Sequence, residues 1–430
     1  MKQGLVNILC ATILELVISG GSIAVEDQSL NSVTEYAETR DKVILTESET
    51  IRLALEQSEK LAVLETDMQI AGYRRDSAGK VENPELRLRE SLLLDDPDGD
   101  RELNLSMRWR LPRFGELTRN RLEADVDVSR KHVDAIRYRL RTIIRIRKLF
   151  AETVLYDELV DLAKHRLELE TERLELIEKM VDLGQRSVVY LTKSRMWLAE
   201  SRHALTQCLK RQHDARRSLS QVTGKPEDAW LAPPALQIID DDPDLLAEMA
   251  FRNRPEIHLA AQQTQLAVQK SRVERYKRLP RLTFGDLAYE IDDDREDRIE
   301  VTMGIELPLF NRNRGSIKAM DLTVKRKMNE SSAMKEQIRE EVNEAFEVYS
   351  ECLTDWQNFD RDLGRLIAET GKVIENAREH SVLAPDEVLE LDLVLIETRR
   401  ILAEKRWRLA VALYDLFYAM GIEEYAPGNH

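Results

Sequence analysis

Apolar residues recur every seven positions along two long stretches of this chain. The first runs from Glu116 to Asp182 and contains neither proline nor glycine. Sustained seven-residue spacing predicts coiled-coil helices, here with a register shift near Val154. The apolar series of the first stretch are Leu122, Ile136, Ile143 and Phe150 beside Val126, Val133, Leu140 and Val154, followed by Leu155, Leu162, Leu169, Leu176 and Leu183 beside Val160, Leu167, Leu174 and Val181.

The second stretch carries the same pattern. Its two series are Ile338, Ala345, Cys352, Phe359, Leu366 and Val373, and Val342, Tyr349, Trp356 and Leu363. Each predicted helix covers about 65–70 residues and is about 100 Å long at 1.5 Å per residue. We expect the first to turn at Asp182–Gln185 and return through Val188–Val222. The second should turn near Ser381–Asp386, where Pro385 marks the break, and return through Val388–Met420.

Two short regions between the helices alternate strictly between apolar and polar residues. In the first, Leu103, Leu105, Met107, Trp109 and Leu111 alternate with Asn104, Ser106, Arg108 and Arg110. Residues 299–307 alternate in the same way. Each alternating segment is preceded by another predicted strand, and each pair of strands forms a predicted β-hairpin, at 85–111 and 281–309. Acidic loops, Asp95–Asp100 and Asp292–Asp297, join the strands. Each strand has about ten residues, the length of a tilted membrane-spanning strand.

Four strands are too few to close a membrane barrel by themselves. Open sheet edges have no hydrogen-bond partners in hydrocarbon, and the smallest single-chain barrels have about eight strands. Closure must therefore be shared between chains. Glu90 and Asp286 interrupt the apolar face at equivalent positions, and we expect a bulge to turn each of them inward.

The two halves of the chain repeat each other. Pro84 and Pro112 recur 196 positions later as Pro280 and Pro308, each beside an alternating segment. A unit this long exceeds the roughly 20–50 residues of solenoid repeats. We predict a first repeat at 43–224, a second at 225–421, and a C-terminal tail at 422–430. Each repeat is predicted to consist of a helix, a β-hairpin and a long helical hairpin, in that order.

Composition and charge narrow the class of protein. The 6% aromatic and 33% charged residues suit long solvated helices, and the net charge of −15 argues against nucleic-acid binding. Residues 1–24 read as a secretion signal, with an apolar run at Leu5–Ile18 and small residues at Ser22 and Ala24. The alternative is an unprocessed amphipathic arm.

The sequence shows no catalytic or metal-binding constellation. Only Glu200 and His203 have the Glu-x-x-His spacing of di-metal bundles, and such sites need two copies. We therefore predict no enzyme activity, no cofactor and no metal site. Cys208 and Cys352 fit small buried residues better than a disulfide.

Several motifs resemble those of TolC-like outer-membrane efflux proteins, especially the heavy-metal branch. Leu307–Ile317, which reads LPLFNRNRGSI, is similar to the strand-to-helix junction of that family. Its matching positions are Pro308, Phe310, Asn311, Arg312, Asn313 and Gly315. Arg254–Ile257 resembles the opening of the second repeat, and Val181–Gly184 the helix-tip turn. The second tip departs from the pattern, because it lacks the turn glycine and contains Pro385.

The resemblance implies a mainly α fold with a small β part. Three chains would form a long antiparallel coiled-coil helical barrel and, with four membrane strands each, a 12-stranded β-barrel. It also implies a duct in the outer membrane with a periplasmic extension. The partners would be two further copies, outer-membrane lipid, a periplasmic adaptor and an inner-membrane pump, and the cargo metal cations or small toxic compounds.

Three groups of residues are candidates for duct function. An acidic set near the second tip is the candidate aperture, and residues of the first tip are candidate adaptor contacts. Arginines on the polar strand faces are candidate lumen-lining residues. These are, in order, Asp386, Glu387, Glu390 and Asp392; Gly184, Gln185, Arg186 and Ser187; and Arg87, Arg89, Arg108 and Arg110.

Two other classes of protein compete with the duct. One is a coiled-coil scaffold without a pore, and the other is a periplasmic adaptor of the same pumps. Neither requires membrane-length strands of alternating polarity, so the doubled hairpin favours the duct.

Overall fold

The computed structural model describes residues 44–92, 101–227, 229–233, 237–292, 298–380 and 384–425. The predicted secretion signal lies outside these residues. So do the two acidic loops except Asp292, part of the second tip and the end of the tail.

The secondary structure alternates between short elements and long helices. The chain begins with β1 (Ile44–Leu45), α1 (Glu47–Glu56), α2 (Glu59–Ser77), β2 (Glu85–Leu92), β3 (Arg101–Arg110), α3 (Glu116–Asp182) and α4 (Val188–Thr223). It continues with β4 (Trp230–Leu231), α5 (Pro243–Asn253), α6 (Pro255–Tyr276), β5 (Arg281–Asp292) and β6 (Arg298–Glu306). It ends with α7 (Arg314–Phe359), a π-helical segment (Asp360–Gly364), α8 (Arg365–His380) and α9 (Pro385–Met420).

The long helices have the predicted lengths. Helix α3 has 67 residues, and α7, the π segment and α8 cover positions 314 to 380 without a break. Helices α4 and α9 have 36 residues each and both end at a left-handed glycine, Gly224 with φ 64° and Gly421 with φ 72°. The duplication itself stays a prediction, which these matched lengths favour. Pro385 occupies the first turn of α9, where a missing N–H costs nothing.

The π segment shifts the predicted coiled-coil seam of the second long helix by one residue. Beyond it, Leu366 and Val373 are 51% and 49% exposed, whereas Ile374 and Ala377 are buried. A π turn inserts one residue into the helical repeat, so the apolar face that follows moves to the next position. The prediction that Leu366 and Val373 belong to the seam is therefore wrong.

The helices lie side by side in two rows of four. Near the sheet, α3 packs between α2 and α6, and α6 also contacts α7. Towards the tips, α3 packs between α4 and α9, and α9 also contacts α7 and α8. Helix α3 and the helix formed by α7 and α8 therefore continue through both rows, whereas α2, α6, α4 and α9 each belong to one row. The short helices α1 and α5 pack against the rows from outside.

The main core lies where the short helix α5 packs on α7 and α9. Its largest buried side chains include Tyr349 of α7 and Phe417 of α9. The backbone N–H of Ile239 donates to the Tyr349 hydroxyl at 2.9 Å, which holds the chain ahead of α5 on the core. Tyr425, within the predicted tail, is also buried here and donates to Asp241.

Candidate functional site

The four long strands form one antiparallel sheet in the order β2, β3, β5, β6. Cross-strand partners share a face, so the register assigns each side chain to one of two faces. One face is mainly apolar and largely exposed in the described strands. Its exposed members are Leu86, Leu88, Leu105, Met107, Trp109, Leu282, Leu287, Tyr289, Ile291, Ile299, Val301, Met303 and Ile305.

The predicted lumen arginines all lie on the opposite, polar face. Arg87 pairs with Ser106 and Arg89 with Asn104, which places both on the face of Arg108 and Arg110. Two of them are paired with the same carboxylate there: Arg87 and Arg110 contact Glu85 at 2.5 and 2.7 Å. With the ion pair of Arg108, three of the four arginines form ion pairs on the polar face.

Asp286 reaches the polar face because β5 contains the predicted irregularity. The pairing of β5 with β6 shifts register between Leu282 and Phe284, which leaves Thr283 as the additional residue. Beyond this bulge Asp286 lies opposite Arg108 and contacts it at 2.7 Å. The Arg108 guanidinium also lies 4.6 Å from the centre of the Phe284 ring. The expectation for Asp286 is confirmed.

The equivalent expectation for Glu90 is wrong. The pairing of β2 with β3 is continuous over all eight strand residues, and Glu90 lies opposite Leu103 on the apolar face. A strand without an additional residue keeps strict alternation, so Glu90 shares the face of Leu88. The two hairpins therefore differ in register although their sequences are similar.

The junction motif turns the chain from the sheet into α7. Asn313 adopts a left-handed conformation with φ 53°, and its side-chain amide donates to the Glu274 carboxylate at 2.6 Å. Gly115 has the same role at the start of α3, with φ 78°. Asparagine and glycine are the residues that most readily adopt this conformation. Phe114 and Phe310 lie beside these turns and are 76% and 100% exposed.

At the opposite end of the helices, the two tips are joined by an ion pair. The guanidinium of Arg186, a candidate adaptor contact, donates to Asp386, a candidate aperture residue, at 2.9 Å. The neighbouring Gly184 has φ 73° and forms the predicted turn. Gln185 and Ser187 are exposed. Leu183 is exposed too, so the prediction that it belongs to the apolar seam of the first long helix is wrong.

The four aperture candidates differ in their surroundings. Asp392 is only 7% exposed and contacts Arg378 of α8 at 2.5 Å, so it joins α9 to α8. A buried, paired carboxylate does not present free charge to a pore, and the structure removes Asp392 from the set. The Glu387 carboxylate accepts from the backbone N–H of Ala384 at 3.2 Å and caps α9. Glu390 is exposed.

Solved structures with this arrangement of strands and helices include outer-membrane channels. CusC is 15% identical, with a TM-score of 0.68 over 90% of this chain and 96% of that chain. VceC from Vibrio cholerae is 16% identical, with a TM-score of 0.67 over 87% and 96%. CmeC from Campylobacter jejuni is 13% identical, with a TM-score of 0.64 over 94% and 93%.

This chain has the TolC-like channel fold. No protein-family model and no curated protein sequence matches it. The similarity is therefore carried by the fold and not by the sequence as a whole.

The described part of this chain contains no group of three histidine, cysteine or acidic side chains placed to hold a metal ion. No described helix is both long enough and apolar enough to cross a membrane. Cys208 and Cys352 are free thiols, each partly buried against a different apolar cluster. Burial raises the pKa of both thiols.

Two features of this fold were missed at the sequence level. One is Arg378, the partner of Asp392, which no pattern distinguishes from other helix-surface arginines. The other is Glu170, which is buried beside the seam residue Leu169. A glutamate next to a seam residue, with Arg166 and Arg173 one turn away on either side, is the signal that would have identified it.

Proposed function

We propose that this protein is the outer-membrane exit duct of a tripartite efflux pump. Three copies would close a 12-stranded barrel in the outer membrane and a helical tunnel in the periplasm. The duct would be passive, because the inner-membrane pump supplies the energy. A periplasmic adaptor would contact the helix tips.

One observation carries this proposal. The four-stranded sheet has an exposed apolar face, an ion-paired polar face, and edges at β2 and β6 that have no partner in the described chain. An apolar face of this kind suits lipid, and a polar face suits a water-filled lumen. Unpaired edges do not persist in hydrocarbon, so β2 of one copy would pair with β6 of the next.

The helical rows support the same assembly. Helix α4 and the helix formed by α7 and α8 lie at the outer sides of the tip-proximal row, and both expose apolar residues there. Examples are Val189 and Met196 on α4, and Val348 and Leu366 on the other side. Each row has four helices and the sheet has four strands. The same threefold axis would therefore close both the helical tunnel and the β-barrel. Phe114 and Phe310 would lie at the membrane surface, where aromatic side chains are favoured.

The cargo would be metal cations or small toxic compounds. Water-filled pores select by width and wall charge. The arginines of the polar face, Arg87, Arg89, Arg108 and Arg110, would line the lumen together with their partner carboxylates. Asp386 and Glu390 would carry the charge of the aperture, and Gly184–Ser187 would meet the adaptor.

Thiol-specific chemical cross-linking tests the proposed closure. In a chain with Cys208→Ser and Cys352→Ser, one cysteine is placed on each sheet edge by Leu88→Cys and Ile305→Cys, and a bis-maleimide of about 10 Å reach is added to outer membranes. We expect covalent dimers and trimers. The matched control, Met107→Cys with Leu287→Cys, joins cross-strand partners within one chain and should give monomers only. Monomeric products from both pairs would contradict the duct.

A further inference from the structure

A groove runs between α4 and α9 over the surface of α3, in the tip-proximal half of the chain. Its volume is about 850 Å³, within the range of small-molecule sites. Apolar side chains from all three helices line it, including Leu159, Leu162, Ala204 and Ile396. The groove belongs to one chain and does not require the proposed trimer.

A buried carboxylate lies at the floor of this groove. Glu170 of α3 is 3% exposed, and its Oε2 has no hydrogen-bond partner among the described residues. Burial raises the pKa of this carboxyl, opposed by Arg173 and Arg166. A buried carboxylate without a full set of hydrogen bonds is costly, so an occupant that donates to it gains binding free energy.

The arginines nearest to Glu170 have other partners. The Arg173 guanidinium is 3.9 Å from the carboxylate but lies 4.1 Å from the centre of the Trp197 ring, on which it stacks. Arg166 is 3.6 Å from Glu397 of α9. Arg166 and Arg173, the cations nearest to Glu170 on the groove wall, are therefore already engaged.

Two further carboxylates stand on opposite walls of the groove. Glu200 belongs to α4 and Glu390 to α9, and both are exposed. No three acidic groups of the described chain converge closely enough to hold a metal ion. The arrangement instead offers spaced carboxylates beside an apolar channel, which matches a flexible organic cation with amine groups along an alkyl chain.

We propose that this groove binds a linear organic polyamine or guanidino-amine, whose charged N–H group donates to the carboxylate of Glu170. A second amine would lie between Glu200 and Glu390, and the methylene chain would pack along Leu159, Leu162 and Ile396. Hydrogen bonds to a carboxylate from a charged donor are among the strong ones, and they require an N–H group.

Calorimetric titration of the full-length chain in detergent with spermidine, at low ionic strength, tests the proposal. We expect binding that Glu170→Gln weakens at least tenfold, since the amide keeps the shape and loses the charge. Glu172→Gln is the matched control, because Glu172 is exposed on α3 and does not line the groove; its affinity should stay within twofold.

Two additional measurements separate a specific site from general ion screening. Tetramethylammonium carries the charge but no N–H donor, so it should not bind. Ala204→Trp, which fills the groove and changes no charge, should abolish spermidine binding. Unchanged affinity in Glu170→Gln, equal binding of tetramethylammonium, or unchanged affinity in Ala204→Trp would each overturn the proposal.

Discussion

Arg186 and Asp386 join the two helix tips, with 2.9 Å between the guanidinium Nη2 and the carboxylate Oδ2. Arg186 follows the turn after α3, and Asp386 lies in the first turn of α9, so the contact spans 200 positions of the chain. It couples a residue predicted to meet the adaptor with one predicted to line the aperture. The Arg186 guanidinium also lies 5.1 Å from the centre of the Tyr190 ring.

If this pair holds the aperture narrow, its loss widens the proposed duct. A half-exposed ion pair contributes up to about 1 kcal/mol, but the proposed trimer would have three of them. We expect Asp386→Asn and Arg186→Gln each to raise the mean conductance in planar lipid bilayers, and the double variant to raise it no further. Asp182→Asn, an exposed tip carboxylate, should have no effect. Additive effects of the two substitutions would show that the residues act separately.

Substitutions at Asp392 and Glu390 should have different effects, one on stability and the other on ion selectivity. Asp392→Asn removes the charge from a buried pair and leaves Arg378 without its partner, so unfolding should become easier by about 1–3 kcal/mol. Glu390→Gln changes an exposed side chain and should alter stability by less than about 0.5 kcal/mol. Only Glu390→Gln should lower the cation preference measured from reversal potentials. The opposite result would return Asp392 to the aperture.

Neighbouring positions of β3 test the assignment of the sheet faces. Leu105→Arg places a charge on the apolar face, where it would cost about 2–4 kcal/mol near the bilayer centre. Ser106→Arg places the same charge among the ion pairs of the polar face. We expect Leu105→Arg to reduce the amount of assembled protein in outer membranes several-fold and Ser106→Arg to leave it near normal. Equal loss from both would mean that neither face meets lipid.

The end of α9 requires glycine. Gly421 has φ 72°, and a Cβ there would lie 2.9 Å from Cγ of Arg254, which is itself paired with Glu341 at 2.7 Å. The left-handed conformation alone costs an alanine about 1–2 kcal/mol. Gly421→Ala should therefore lower the free energy of unfolding, measured with denaturant in detergent.

Gly72→Ala is the matched control for that measurement. Gly72 lies within α2, where an added Cβ meets no atom within 4 Å. The substitution should stabilise the chain by about 0.5–1 kcal/mol, because alanine loses less backbone freedom than glycine in a helix. A loss of stability in both variants would refute the argument from backbone conformation.

Much of the architecture follows from local patterns. Seven-residue spacing without proline or glycine specified the length of α3, and strict alternation specified β3 and β6. Such patterns are reliable because residues of a helix or strand return to the same face at a fixed period. The four arginines predicted to line a lumen fall on one face for the same reason.

Other properties depend on contacts between distant segments. The sequence repeats Glu90 as Asp286, yet only β5 has the bulge that moves its carboxylate to the polar face. Similarly, one π turn moves the buried seam from Val373 to Ile374. A single additional residue changes every side chain that follows it, and no pattern around it marks the shift.

Sequence alone therefore determined which segments are helices and strands, and which residues of a regular segment share a face. The tertiary structure decided the register of β2 against β3, the pairing of Arg186 with Asp386, and the burial of Asp392 and Glu170. The physical reason is the distance along the chain over which each property is set. Periodicity is set by backbone geometry over a few residues, whereas the partner of a charge is set by how whole helices pack.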